Sequence, residues 1–325
     1  MPALLRAWFL VPLFLLSVGG QSHAQGWPAR PVRLIVAFAP GAQPDIIARL
    51  LADRLSRSLG QQVIVDNRPG TANLVGAQAT ARAVPDGYTF FFATSAALVT
   101  NPFTFKSLPY DPVRDFVPVS FILKSPFFVL AHPDLPAKTL AELFALARAK
   151  PGALNFATDG PRNFSGMLAT WVSKAAGTPI QQVPYAVMPQ GLQDTIAGRT
   201  QLVILSVAPA APHVRRGALR ALAASTAARL PGWEDVPTIA ETVPGFEFVG
   251  WFGVVAPAGT PAEAVQRFAR ETGTILRDAE VVQRLRDLGT YTVESAQTPE
   301  GFADYIRTER VYWQKLLKEI GVEPE

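Results

Sequence analysis

Three polar loops carry the groups in this chain that could do chemistry. They are Ala39-Pro40-Gly41-Ala42-Gln43-Pro44-Asp45, Thr94-Ser95-Ala96-Ala97 and Thr158-Asp159-Gly160-Pro161-Arg162-Asn163-Phe164-Ser165. Each follows a short apolar run, and the first and third lead into helical patterns. A helix N-terminus presents backbone N–H groups without intrahelical acceptors, at the positive end of a dipole, and so suits a carboxylate. The hydroxyls of Ser95 and Ser165 could donate to such an anion or simply cap helices. Arg162 would be a bidentate carboxylate partner if it points inward, and a solvated loop charge otherwise. Asp45 reads either as the group that orders the first loop or as ordinary first-turn helix charge. The chemistry indicated is reversible capture of a small anion.

Bond-making chemistry has no such support. The histidines are His23, His132 and His213, and none stands at a spacing from acids that suggests a triad or a metal site. There is no cysteine, and HExxH, GxSxG and P-loop patterns are missing from the sequence. No catalytic residue, metal or cofactor is expected.

The elements that must position the loops can be read from periodicity. Val32–Phe38, Val63–Val65, Tyr88–Ala93, Phe127–Ala131, Leu154–Ala157, Leu202–Ser206 and Leu219–Ala223 are apolar runs of strand length. Between them lie helical patterns at Asp45–Leu59, stopped by Gly60, at Thr139–Lys150, opened by the capping box Thr139-x-x-Glu142, and at Asn163–Ala176, stopped by Gly177. The C-terminal part reads as helices. One opens at Thr260-Pro261-Ala262-Glu263 with Thr260 as its cap, a second covers Asp278–Leu288, and a long one runs from Pro299 to Ile320. Strands that are apolar throughout imply sheets covered on both faces, and the alternation implies an α/β fold with mostly parallel sheets. No flexible linker is visible, so two lobes are expected, 26–125 plus 252–325 and 126–251. Strands near Phe121–Phe128 and Phe248–Val254 would cross between them and leave a hinged cleft. In open α/β sheets the ligand lies beyond the carboxyl ends of the strands, which is where the three loops fall.

Residues 1–24 read as a cleaved secretory signal: Arg6, the apolar run Trp8–Leu16, and Ser22-His23-Ala24. The run is shorter than the ~20 apolar residues a membrane span needs, and no later stretch is long enough. The expected product is a periplasmic protein with no membrane span. An exported protein without cysteine must be held by its core. The chain of 325 residues carries a net charge of +4 with no Lys/Arg run, so nucleic-acid binding is unsupported.

The same loops sit within an ordered set of motifs. Pro31–Gly41 with Asp45 and Ala48-Arg49 opens it. Val65–Gly70, Pro85–Thr89, Leu108–Pro112 and Val183-Pro184-Tyr185 follow, then Gly217–Ala223, Asp235–Thr238 and Trp251–Pro261. Taken in order, they resemble the Bug-type substrate-binding proteins of tripartite tricarboxylate transport systems across essentially the whole mature chain. The resemblance implies a type II periplasmic, Venus-flytrap receptor for small carboxylates, working as a monomer with integral-membrane transporter subunits. With the reading of the loops above, the expected ligand-binding residues are Phe38, Gly41, Ala42, Gln43, Asp45, Thr94, Ser95, Thr158, Asp159, Arg162, Asn163, Ser165 and Tyr185. The same fold could instead serve as the input protein of a membrane histidine kinase.

This chain departs from the family pattern at the ligand loops. Ala42 replaces a glycine, Pro44 removes an N–H donor, and Gln201 and Leu205 stand where relatives often carry acids. Losing those acids and gaining Arg162 disfavours a ligand ammonium group. A dicarboxylate or an aromatic carboxylate is the expected ligand, with Asp159 the residue able to reverse that if it faces the cleft.

Overall fold

A computed structural model describes residues 26–324; the expected signal segment lies outside them. The first stretch runs β1 (Val32–Val36), α1 (Gln43–Leu59), β2 (Val63–Asn67), α2 (Leu74–Ala81), β3 (Thr89–Thr94), a π-helical turn (Ala96–Thr100), α3 (Asn101–Thr104) and β4 (Phe116–Ser125). The second runs β5 (Phe127–Ala131), α4 (Leu140–Ala149), β6 (Asn155–Thr158), α5 (Phe164–Ala176), β7 (Gln181–Pro184), α6 (Met188–Ile196), β8 (Leu202–Ser206), α7 (Val207–Arg215), β9 (Arg220–Ala224) and α8 (Ile239–Thr242). The chain then returns through β10 (Gly250–Pro257) and closes with α9 (Ala262–Ile275), α10 (Ala279–Asp287) and α11 (Pro299–Ile320).

The fold is α/β, with two five-stranded sheets flanked by helices, ordered β2-β1-β3-β10-β4 and β7-β6-β8-β5-β9. As expected for mostly parallel sheets, four strands of each sheet run the same way, and one strand inserted among them runs against its neighbours. β1 pairs in parallel with β2 and β3, and β6 with β7 and β8. β10 runs antiparallel to β3 and β4, and β5 antiparallel to β8 and β9. The reason is the crossing. A strand entering a sheet from the neighbouring unit arrives at the edge where the resident strands end, and so runs against them.

Period-2 alternation sends successive residues of one strand to opposite faces. On the first sheet Leu34, Val36, Phe90 and Phe92 face α1 and α9, where Phe90 stacks on Phe268 at 4.2 Å. Ile35, Phe91 and Ala93 face the other way, into a core shared with Val129 and Ile204 of the second sheet. That shared core continues under α11, whose Phe302, Ile306, Trp313, Leu317 and Ile320 recur at helical spacing and are buried. Burying each such side chain contributes roughly 1.5–3 kcal/mol.

Two caps test the local reading. Thr139 accepts from Glu142 N–H at 3.2 Å as its motif predicts, although Glu142 reaches back to Lys138 N–H. The expected Thr260 cap is not formed. Pro261 is the cap residue, and Thr260 Oγ1 donates to Pro257 O at 2.7 Å.

Candidate functional site

The sheet registers decide where the three loops lie. Gly250 pairs with Ser125 and Phe252 with Thr94, so β3 ends where β10 enters and β4 leaves the first sheet. β1 is parallel to β3 and ends at the same edge. In the second sheet Phe127 pairs with Ser206, so β8, and β6 parallel to it, end where β5 enters. The loops after β1, β3, β6 and β8 therefore all sit on the sheet edges joined by the crossing segments. Only Pro126, which cannot donate to a ladder, separates β4 from β5. The return crossing is held by Phe248 N–H on Ser225 O at 2.8 Å and by Lys124 Nζ on Glu247 Oε1 at 2.9 Å.

The first loop is ordered by Asp45. Its buried carboxylate accepts from Gly41 N–H at 2.8 Å, Asn67 Nδ2 at 2.8 Å and Arg49 Nε at 3.0 Å. Asn67 Nδ2 also reaches Phe38 O at 3.0 Å. Burial pushes the Asp45 carboxyl up, but the bonds from Arg49, Gly41 and Asn67 outweigh it and hold it below the usual carboxylate value. This arrangement engages loop donors within the chain itself. Gly41 N–H is on Asp45, Ala42 N–H on Ala39 O at 3.2 Å, and Pro44 has none. Gln43 N–H is left at the mouth of α1 with no acceptor among the described residues, while the Gln43 side chain turns to Leu288 O at 3.2 Å. Gly41 is left-handed at φ 83°, and a Cβ there would meet nothing within 4 Å. The loop thus leaves open space at the point where a ligand would meet the backbone.

Beside it, Thr94 Oγ1 donates to Asn73 Oδ1 at 2.8 Å and accepts from Ala97 N–H at 3.1 Å. Ser95 Oγ accepts from Trp251 N–H at 3.3 Å, and its own proton has no acceptor among the described residues. Phe38 meets Phe252 edge-on at 6.3 Å, and Phe252 stacks on the fully buried Phe92 at 5.3 Å, which anchors the end of the first loop to the core beneath it. Asn73, left-handed at φ 65°, also donates to Ala37 O at 3.3 Å and so ties the loop after β1 to the loop after β3. Asn67 and Asn73 were not among the expected site residues. The local signal for Asn73 is the ease with which Asn adopts positive φ.

The third loop is built around Asp159. Ser165 Oγ donates to Asp159 Oδ1 and accepts from Asp159 N–H at 2.9 Å, and Asn163 Nδ2 donates to Asp159 O at 2.6 Å. The carboxylate thus turns onto the start of its own helix α5. Burial pushes the Asp159 carboxyl up, and the Ser165 hydroxyl with the N–H groups of Ser165 and Gly166 only partly offsets this. No cation lies within ion-pair distance of it among the described residues. Gly166 is required here, because a Cβ would lie 2.0 Å from Gly160 O. Thr158 Oγ1 donates to Gln182 Oε1 at 3.2 Å. Tyr185 N–H bonds Thr158 O at 2.8 Å while its hydroxyl donates to Asp194 at 2.9 Å. Arg162 extends to the other sheet's unit, with its guanidinium carbon 5.7 Å from the centre of the Phe105 ring. Phe164 stacks on Phe127 at 5.9 Å and meets Trp313 at 5.1 Å, joining this loop to the crossing and to α11.

Chemically, these loops offer the Gln43 N–H and the Ser95 hydroxyl on the first sheet's side, and Arg162 of the third loop lies against Phe105 of the first sheet's unit. Groups of this kind suit hydrogen bonding to a small anion. No cluster of acids, histidines or cysteines able to hold a metal occurs among the described residues, and none of their helices is long and apolar enough to cross a membrane.

Residues 47–322 match the model of the tripartite tricarboxylate transporter family receptor. A UPF0065 protein of Bordetella bronchiseptica is 37% identical over 99% of this chain and 95% of its own. Among solved structures, R. palustris Rpa4515 with adipate superposes with a TM-score of 0.84 at 33% identity, covering 92% of this chain and 100% of that one. MatC from Rhodopseudomonas palustris with bound malate gives 0.78 at 28% identity, covering 90% of this chain and 100% of that one. With the ordered motifs, the two mixed sheets and these matches in agreement, the chain belongs to the tripartite tricarboxylate transporter receptor family, a family of solute-binding receptors and not of enzymes.

Proposed function

We propose that this protein is a periplasmic receptor. It captures a small carboxylate between a first lobe, residues 26–125 plus 252–325, and a second, residues 126–251, and delivers it as a monomer to the membrane subunits of a tripartite tricarboxylate-type transporter. The observation that carries this reading is the register: four post-strand loops, two from each sheet, lie on the edges that the crossing segments join. Adipate in one structural neighbour and malate in another support a carboxylate ligand.

The preferred ligand is an acid without a free ammonium group, either a dicarboxylate or an aromatic carboxylate. Leu205 is buried in the core at the end of β8, and Asp159 is turned onto α5 rather than displayed. An ammonium group buried without a carboxylate partner costs several kcal/mol. One carboxylate of the ligand is read by Gln43 N–H and Ser95 at the first sheet, with Arg162 approaching from the second.

A thermal-shift screen of the mature protein against carboxylic acids tests this. A cognate acid at 100 times its Kd stabilises by about 2.7 kcal/mol, and aspartate and glutamate give no comparable shift. A shift confined to α-amino acids would overturn the ligand class. No shift with any carboxylate would overturn the receptor reading.

A further inference from the structure

We propose that the groove between α3 and residues 105–113 docks a membrane-protein partner, through a segment of that partner carrying a carboxylate beside apolar side chains. The inference names the partner-facing surface of the proposed receptor and rests on that reading.

The groove begins where the second loop of the candidate site ends. The π-helical turn Ala96–Thr100 runs on from Ser95 into α3, and the chain continues through Leu108 to Val113. Both stretches line a space of about 470 Å³, within the range of ligand clefts. Its walls are apolar: Phe103, Phe105 and Leu108 are half-buried, and Val113 is 65% exposed. Exposed apolar surface gathered in a groove marks contact with another molecule.

Charge says what that molecule carries. Arg310 of α11 lines the groove, with Nε and Nη2 donating to Leu98 O at 3.2 and 3.0 Å and Nη2 also to Pro112 O at 2.9 Å. Its Nη1 has no acceptor among the described residues. Burial pushes the guanidinium below its ordinary value, with the Asp111 charge opposing this. Asp111 is itself committed to its own turn. It accepts from the N–H groups of Val113 at 2.8 Å and Arg114 at 3.2 Å, and pairs with Arg114 Nε at 3.7 Å. Lys106, also lining the groove, is exposed and has no ion-pair partner among the described residues. Two cations are thus left unmatched among apolar walls, and a half-buried guanidinium gains most from a carboxylate that arrives with its own apolar cover. A lipid surface fits less well, because polybasic lipid-binding segments gather about 4–8 cations.

Position ties the groove to the ligand loops. The Tyr110 hydroxyl donates to Ala97 O at 2.8 Å and Arg310 to Leu98 O, so the groove is bonded to the turn that follows Ser95. From the second sheet's unit, Arg162 lies 5.7 Å over the Phe105 ring. A partner seated here meets elements continuous with the loops of both sheets.

Photocrosslinking tests the proposal. The full mature chain, with benzoylphenylalanine in place of Val113, is added to right-side-out inner-membrane vesicles from the cells that make the protein. The adduct is identified by mass spectrometry as a membrane subunit of a tricarboxylate-type transporter. The same crosslinker at Val84, 70% exposed before β3 at the opposite end of the sheet, gives none. Lys106→Glu lowers the Val113 adduct by about tenfold or more and leaves the thermal shift with carboxylic acids unchanged. Equal adducts from Val84 and Val113, no adduct from Val113, or an adduct unaffected by Lys106→Glu each overturns the proposal. Equal sedimentation of the wild type with protein-free phosphatidylglycerol vesicles would assign the groove to lipid and overturn it as well. A carboxylate thermal shift without a Val113 adduct overturns only this inference, whereas no shift with any carboxylate overturns the receptor reading beneath it.

Discussion

The loops that follow β1 and β6 are alike in outline and opposite in electrostatics. Each connects a buried strand to a helix and encloses one aspartate that bonds its own loop. In the first, Arg49 and Asn67 join Gly41 N–H on the carboxylate, and the acid is held ionised. In the second, the donors are a hydroxyl and backbone N–H groups, and burial wins. A helix N-terminus is therefore not a fixed anion site. Whether it welcomes a ligand depends on what the chain has already put there and on whether that charge has been matched.

The largest effect expected from this comparison is steric. Gly166→Ala drives a Cβ to within 2.0 Å of Gly160 O, so backbone must move, at a cost of about 3 kcal/mol. Gly41→Ala meets open space and carries only the left-handed backbone penalty of about 1–2 kcal/mol. Urea unfolding of the two variants measures the difference. Equal costs would mean that the loops are equally tight.

Next comes the pair of aspartates. Asp45→Asn removes the charge that Arg49, Gly41 and Asn67 hold, and destabilises by about 2 kcal/mol. Asp159→Asn keeps a side-chain acceptor for Ser165 and removes a buried charge with no cation beside it, so at pH 7 its effect is within about 1 kcal/mol of zero and on the stabilising side. Melting temperatures that fall equally in both variants would contradict the contrast.

The smallest effect is in pH dependence, and its sign also differs. The folded-state pKa of Asp45 is lowered, so its contribution is present above the ordinary carboxyl pKa and is lost as pH falls through the lowered value, below about 4. Asp159 is raised, so its contribution is complete below the ordinary pKa and is lost as pH rises through the raised one, above about 4. Glu309, which accepts from the indoles of Trp251 at 2.8 Å and Trp313 at 3.0 Å, is also raised by burial and acts in the same direction as Asp159. Urea midpoints between pH 4 and 7 should therefore fall less steeply with pH in Asp159→Asn than in wild type. A steeper fall would reverse the assignment.

Local features were legible from sequence. The Gly60 and Gly177 stops and the run from Pro299 to Gly321 are found where periodicity puts them, because caps and stripes are short-range. The ordering role of Asp45 was legible too, since a third-position acid can reach back to the loop N–H. What depends on distant pairing was not. The antiparallel insertion of β10 between β3 and β4 joins residues more than a hundred positions apart. Glu309 sits within an otherwise apolar stripe of α11, and only the two indoles brought to it explain its burial. Whether Asp159 faces a ligand or its own helix turns on the Ser165 rotamer, which no spacing rule contains.

The place of β10 also sets an order of events during synthesis. Every strand of the second sheet has emerged by residue 224, whereas the first sheet waits for residues 250–257. Until then β4 lacks β10, its one neighbouring strand among the described residues, and β3 presents a bare edge. That edge carries Phe90, Phe91 and Phe92, all fully buried in the finished protein. The half that begins the chain is thus the last to close, and through that interval it exposes an apolar strand of the kind that pairs with other chains.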